Sequence, residues 1–271
     1  MHMQMKLPQL ELHRIDEQFD NVPHVHDHHF QVTVPVRGAC YFNRENKEYV
    51  LNAGESLVLN PSDRHSFRIG PDSGVIIIKV DERSFYPAHL TERVEPAFRH
   101  SVDASEFAKQ FRKWTTDVFA LDQVDPMAAE ETESKVLSYL QRMLWADQTD
   151  ILRGSGTRVN TAQTDRGMAR VLEYVHAHYA ERLNLDEMAA VAMQSRFYFI
   201  RSFKALTGCT PYQYVLRLRV EDAQQRLRRT ADTVTDISFA LGFSSASQFY
   251  RVFAGIVGMS PEKYRSYAKS L

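Results

Sequence analysis

The stretch Asp236-Ile-Ser-Phe-Ala-Leu-Gly-Phe-Ser-Ser-Ala-Ser-Gln-Phe-Tyr-Arg-Val-Phe253 carries two helical patterns separated by one glycine. Ile237, Ala240 and Leu241 recur at helical spacing, with Thr233 and Asp236 placed three apart to cap them. Gly242 breaks the period, and Ser244 or Ser245 caps a second helix carrying Phe249 and Phe253 four apart. Two short helices across such a turn form a helix-turn-helix. The unit occurs twice. Arg-x-Phe-x4-Gly-x2-Pro-x2-Tyr is matched by Arg201, Phe203, Gly208, Pro211 and Tyr214, and again by Arg251, Phe253, Gly258, Pro261 and Tyr264, each member offset by 50. Five positions at one offset mark an internal duplication.

In the first copy Asn184 and Glu187 form a capping box ahead of Met188, Ala189 and Val191. Met193-Gln194 is the turn, and Ser195 caps Arg196 to Leu206, whose Phe199 and Phe203 face inward. The units span about 183–206 and 233–255, and the Gly and Pro after each end one helix and start another. Gln194, Arg196, Tyr198 and Arg201 fall on the solvent side of one second helix, and Ser247, Gln248, Tyr250 and Arg251 on that of the other. Such donors and flat amphipathic groups read base edges or hold phosphates in a major groove. An all-helical bundle with two similar hairpins is the plainer alternative. A joining helix, Tyr212 to Arg229, sets the separation of the two readers, about 34 Å if they enter successive major grooves. Arg226, Arg228 and Arg229 read as complements to the dipole of that helix.

Residues 183–267, above all Asp236 to Phe253 with Gly258-Met-Ser-Pro-Glu-Lys-Tyr-Arg265, resemble the DNA-binding domain of the AraC/XylS family of bacterial transcription regulators. The resemblance implies two helix-turn-helix units on double-stranded DNA and a separate N-terminal domain for sensing or dimerisation. Carried over by position, the base readers are Arg196, Phe197, Ile200 and Arg201, then Ala246, Ser247, Tyr250 and Arg251. Gln194, Ser195, Tyr198, Lys204, Ser245 and Gln248 complete the expected DNA-binding set. Members commonly carry Phe-Lys-Lys after the second recognition helix. Here Phe253 is followed by Ala254-Gly255, although Phe203-Lys204 is kept, so a weaker phosphate grip is expected of the second unit.

Upstream, residues from about 22 to 82 read as strands. Phe30 to Val36 alternates, Tyr49 to Leu51 and Ser56 to Leu59 are short and apolar, and Gly74 to Val80 is a buried-type run. Pro35 predicts an edge or a bulge. Turn residues recur at the spacing of a small antiparallel sandwich or barrel. From Ala104 the period turns helical, with one stripe at Phe107, Phe111, Trp114 and Val118 and another at Val136, Leu137, Leu140, Met143 and Leu144. These helices pack on the sheets or form a homodimer interface.

The expected fold is α+β in two domains: 1–100 a cupin-like antiparallel β-barrel, 101–150 amphipathic helices, 151–164 a linker, and 165–271 an all-α double helix-turn-helix. The strands resemble the cupin-like sensor of the same family through Pro23-His-Val-His-Asp27, Gln31 to Gly38, Asn52-Ala-Gly-Glu55 and Pro61-Ser-Asp-Arg-His65. His24, His26, Gln31 and His65 have the ligand spacing of metal-binding cupins, with Gln31 where an acid usually stands. They are the candidate site for a divalent transition metal, or walls of an effector pocket without one.

Composition bounds the function. At 271 residues, 44% hydrophobic and 25% charged, with Val75 to Ile78 the longest aliphatic run, the chain has the make-up of a two-domain globular protein and no membrane span. The first residues lack the apolar core of a secretory signal, and two cysteines, Cys40 and Cys209, fit a reducing cytoplasm. The net charge of −1 averages two unlike halves: residues 1–164 hold 18 Lys+Arg against 24 Asp+Glu, and residues 165–271 hold 15 against 10. Nine of eleven histidines lie in the acidic half. The expectation is a cytoplasmic, homodimeric, non-enzymatic regulator that binds specific DNA and a small-molecule effector, with RNA polymerase as a further partner. The alternatives are a metal-dependent cupin enzyme and a metal-sensing regulator built on His24, His26, Gln31 and His65.

Overall fold

The computed structural model describes residues 2–86, 95–119, 125–145 and 161–269. The fold is α+β. The chain divides into two compact units, Met1–Thr116 with Lys135–Ser155, and Asp117–Ser134 with Gly156–Leu271.

The first unit is built on ten strands: β1 (His2–Lys6), β2 (Leu10–Ile15), β3 (Phe19–Asp20), β4 (His29–Arg37), β5 (Ala39–Arg44), β6 (Lys47–Asn52), β7 (Glu55–Leu59), β8 (His65–Ile69), β9 (Gly74–Asp81) and β10 (Arg99–Ser101). They form a six-stranded sheet, β1-β2-β9-β4-β7-β10, and a four-stranded sheet, β3-β8-β5-β6, with every pairing antiparallel. Side chains alternate about the strand, so each sheet buries one face. Leu57, Leu59, Val75 and Ile77 from one sheet meet Cys40, Phe42, Leu51, Phe67 and Ile69 from the other in a single core. The expected cupin-like barrel is thus described as two packed sheets.

Strands begin at His2, twenty residues before the pattern suggested. The β2 pattern Leu-Glu-Leu-His-Arg-Ile becomes a strand by pairing with β9, from Leu10 opposite Val80 to Ile15 opposite Val75. Pro35 sits on a central strand, and the register of β4 against β9 shifts between Pro35 and Arg37. The missing N–H is accommodated by a bulge.

The helices are α1 (Glu82–Phe85), α2 (Ala104–Phe119), α3 (Pro126–Leu144), α4 (Thr161–His178), α5 (Leu185–Val191), α6 (Arg196–Thr207), α7 (Pro211–Arg229), α8 (Val234–Ala240), α9 (Ala246–Val257) and α10 (Pro261–Lys269). The apolar stripes of α2 and α3 are covered within the chain: Phe107, Phe111, Trp114, Val136 and Leu140 are all buried. Tyr139 meets both Phe107 and Trp114 edge-on. The side chain of Val118 lies outside the described residues. Of the predicted linker, residues 151–160 lie outside the described residues, and Thr161–Thr164 form the start of α4.

Two helical cores follow the duplication. Phe199 and Phe203 anchor one with Met168, Val171, Leu185 and Met188, and Phe249 and Phe253 anchor the other with Ile237, Leu241 and Phe243. No described helix is long and apolar enough to cross a membrane.

Candidate nucleic-acid interface and histidine cluster

Each recognition helix starts where a serine satisfies an orphan amide. Ser195 Oγ accepts from Tyr198 N in α6, and Ser245 Oγ accepts from Gln248 N in α9, so Ser245 rather than Ser244 is the cap. Both helices run 12 residues and end on a left-handed glycine, Gly208 at φ 78° and Gly258 at φ 81°. The helices before them, α5 and α8, both run 7 residues and are capped by Asn184 and Thr233. The caps of α5 and α8 are 49 residues apart and those of α6 and α9 are 50 apart, which places one extra residue, Ser244, in the second turn. The expected Asn184–Glu187 capping box is half made: Asn184 accepts from Glu187 N, while the Glu187 carboxylate accepts from Tyr174 OH. A complete box stands instead at Thr210 and Gln213, ahead of α7.

The expected DNA-binding residues fall into three groups. Ser195, Phe197, Tyr198, Arg201, Lys204, Ser247, Tyr250 and Arg251 are exposed. Gln194, Arg196, Ile200, Ser245 and Ala246 are half-buried. Gln194 accepts from Ser202 Oγ, and Ile200 packs against the first helical core. Arg196 is committed to acids: its Nε donates to Asp186 Oδ1 at 2.7 Å, its Nη2 to Asp186 Oδ2, and Nη1 lies 3.5 Å from Glu133 Oε2. Tyr250 OH donates to Glu262.

Gln248 departs from its expected place on the solvent side. It is fully buried, accepting through Oε1 from Ser244 N and Ser244 Oγ and donating through Nε2 to Tyr212 OH and Asp125 Oδ2. The extra turn residue Ser244 is what its side chain holds. Gln248→Ala leaves that turn amide and the Tyr212 hydroxyl without their partner. A stability loss of about 2 kcal/mol is expected in urea unfolding, and a loss below about 0.5 kcal/mol would show the contacts replaceable by water.

In the first unit, His24 N donates to His65 O and His65 N to His24 O, each at 2.9 Å, a two-residue bridge that sets these side chains together. His26, two residues on, projects to the same side. Ring centroids are 4.9 Å apart for His24–His26, 4.4 Å for His24–His65 and 5.2 Å for His26–His65. One ring nitrogen from each lies within 4.8 Å of the others. Nδ1 of His24 faces Val22 O at 2.9 Å and Nδ1 of His65 faces Asp63 O at 2.9 Å, which fixes Nδ1 as the protonated nitrogen and Nε2 as the lone-pair site. Nε2 of His26 and of His65 is buried with no hydrogen-bond partner. Burial, aided by the nearby Lys79 charge and the other imidazoles, pushes His26 down to about 4. Burial does the same to His65, against the opposing pull of its bond to Asp63 O. Both rings are neutral near pH 7. Gln31 is buried on β4, where its Nε2 donates to Thr33 Oγ1.

A strand-rich unit holding an inward-facing polar cluster, joined to a helical unit with two equal helix-turn-helix copies, defines a ligand-binding protein that acts on DNA. Residues 8–130 match the family model of the AraC-like ligand binding domain, and residues 188–267 match that of the helix-turn-helix domain. The chain belongs to the AraC family of transcription regulators and is a DNA-binding regulator responding to an effector. It is 22% identical over 268 residues to the probable transcriptional regulator LumQ of Photobacterium leiognathi, covering 98% of this chain and 100% of that protein. Over 92 residues it is 37% identical to the MmsAB operon regulatory protein of Pseudomonas aeruginosa, covering 34% of this chain and 30% of that one. Among solved structures, the DNA-binding domain of AdpA in complex with a target DNA is 31% identical, covering 38% of this chain and 94% of that one, with a TM-score of 0.37.

Proposed function

We propose that the exposed residues of α6 and α9 make the DNA contacts: Phe197, Tyr198, Arg201 and Lys204 from the first copy, Ser247, Tyr250 and Arg251 from the second. The observation that carries this is the equivalence of Arg201 and Arg251. They occupy the same turn of two equal helices, 50 residues apart, and both are exposed. Two similarly built readers in one chain suit two adjacent segments of one operator. The regulator acts in the cytoplasm as a homodimer that recruits or blocks RNA polymerase, and has no catalytic role. Selection of bound duplexes from random DNA identifies the operator, and its loss on Arg201→Ala/Arg251→Ala tests the assignment.

The effector site of this reading is the inner face around His24, His26 and His65. A second reading makes a divalent transition metal that effector. It is favoured by the Nε2 atoms of His26 and His65, buried with no hydrogen-bond partner and within 4.8 Å of a third imidazole nitrogen. The three imidazoles would hold the ion, with Val22 O and Asp63 O orienting two of them. Titration with zinc or cobalt should then show one equivalent bound with micromolar or tighter affinity, weakened at least about tenfold by His65→Ala or by the half-exposed His24→Ala. Absence of stoichiometric binding sinks the metal reading and leaves the pocket to an organic effector.

A further inference from the structure

Residues 117–134 hold six carboxylates (Asp117, Asp122, Asp125, Glu130, Glu131 and Glu133) and no Lys or Arg. The rest of the same compact unit, residues 156–271, holds 16 Lys+Arg against 10 Asp+Glu, so the acidic segment's −6 cancels the +6 of the helical domain. Four of the six acids make specific contacts with the helical domain. Glu130 Oε2 accepts from Leu185 N and Glu131 Oε1 accepts from Tyr212 N, each at 2.7 Å. Those amides open α5 and α7, whose own caps, Asn184 and Thr210, serve Glu187 N and Gln213 N instead. Glu133 is buried against Arg196, the first residue of the recognition helix. Asp125 accepts from Gln248 at the head of the other one.

First-turn amides and the leading arginine of a recognition helix are groups of the kind that bind phosphate oxygens, and here carboxylates occupy them. We infer that residues 125–134 are an intramolecular stand-in for the DNA backbone, an acidic latch that competes with DNA for the first helix-turn-helix. The inference rests on the DNA-contacting surface proposed above. Met127 lies in the first helical core with Phe199 and Phe203, Ala128, Ala129 and Thr132 are buried too, and a cleft of about 370 Å³ lined by Asp125, Met127, Arg182, Tyr212 and Arg219 borders the segment. The helix carrying it continues past Ser134 into residues that belong to the first unit, which gives the sensor a covalent handle on the latch.

The test uses the full chain and an operator selected from random duplexes. Glu130→Gln/Glu131→Gln/Glu133→Gln keeps the shape of the segment and removes its charge. It should bind the operator about tenfold more tightly than the natural chain, a coupling of ordinary allosteric size. A folded triple variant that binds equally or more weakly overturns the latch. A second measurement needs no variant of the acids: the Met127 methyl resonance, assigned through Met127→Leu, should be shielded from a soluble nitroxide in the free protein and relaxed by it once operator is added. A methyl that stays shielded in the complex makes the segment a fixed brace and overturns the inference, whether or not the triple variant folds. If no duplex is selected at all, the DNA-contact reading fails and the latch with it; operator binding with a shielded methyl removes the latch alone.

Discussion

Arg219→Met is expected to lower the unfolding free energy by about 4 kcal/mol, the largest effect of any single polar replacement in the helical unit. Arg219 is 4% exposed and lies in the middle of α7. Its Nε donates to Tyr179 O at 2.7 Å, its Nη2 to Glu181 O at 2.9 Å and its Nη1 to Gly242 O at 2.7 Å. One guanidinium thus ties the loop after α4 to the turn of the second helix-turn-helix. Burial pulls its pKa down, against the pull of Asp125 in the other direction, yet the fork of five donors lets one cation satisfy three carbonyls at once. Methionine matches the stem but removes the donors that pair the three carbonyls. Gly242, at φ 76°, passes so close to Ala180 O that an added Cβ would lie 2.4 Å from it. Urea denaturation measures the loss, and a value under about 1 kcal/mol would mean that water fills the fork. Arg219→Lys, which reaches one carbonyl at a time, should recover only part.

The second large effect is on DNA. Arg201→Ala/Arg251→Ala should weaken operator binding about 100-fold and reduce the salt slope of log K by about 1 for each of the two that contacts a phosphate. Both residues are exposed, so the fold should be unaffected and a thermal melt should superimpose on that of the natural chain. Operator affinity within a factor of about 2 of the natural protein would remove these arginines from the interface. The acidic latch sets a condition on the measurement, since in the free chain Arg196 is held by Asp186 and Glu133. Any loss from Arg196→Ala mixes lost DNA contact with lost latch contact, and the exposed pair reports the interface more cleanly.

The two readers were legible because their construction is local. Serine caps, a left-handed glycine and a first-turn proline act on residues within four positions of themselves, and each recurs 50 residues later. The three histidines were also legible as candidates, His24 and His26 by their spacing of two and His65 by the cupin-like pattern; the bonds between His65 and His24 that bring them together were not. Gln248 shows where such reading ends. A polar residue in the first turn of a recognition helix looks outward by periodicity, but the inserted Ser244 and the approach of Asp125, 123 residues earlier, enclose it. The partners of Leu185, Tyr212 and Arg196 on residues 130–133 carry no local signal either, since an acidic helix start reads as a solvated face.

Local chemistry along the chain therefore settled most of the element types, the duplication and the α+β division, and it supplied the candidate residues for DNA and effector. Long-range pairing settled the rest: which early strands join β9, which polar groups are enclosed, how one arginine ties the loop after α4 to the Gly242 turn, and where the acidic segment's carboxylates are placed. The physical reason is one of range. Caps, turns and periodicity are decided by steric and hydrogen-bonding terms within a few residues, whereas burial and charge compensation depend on which distant surface arrives, and no short stretch encodes that alone.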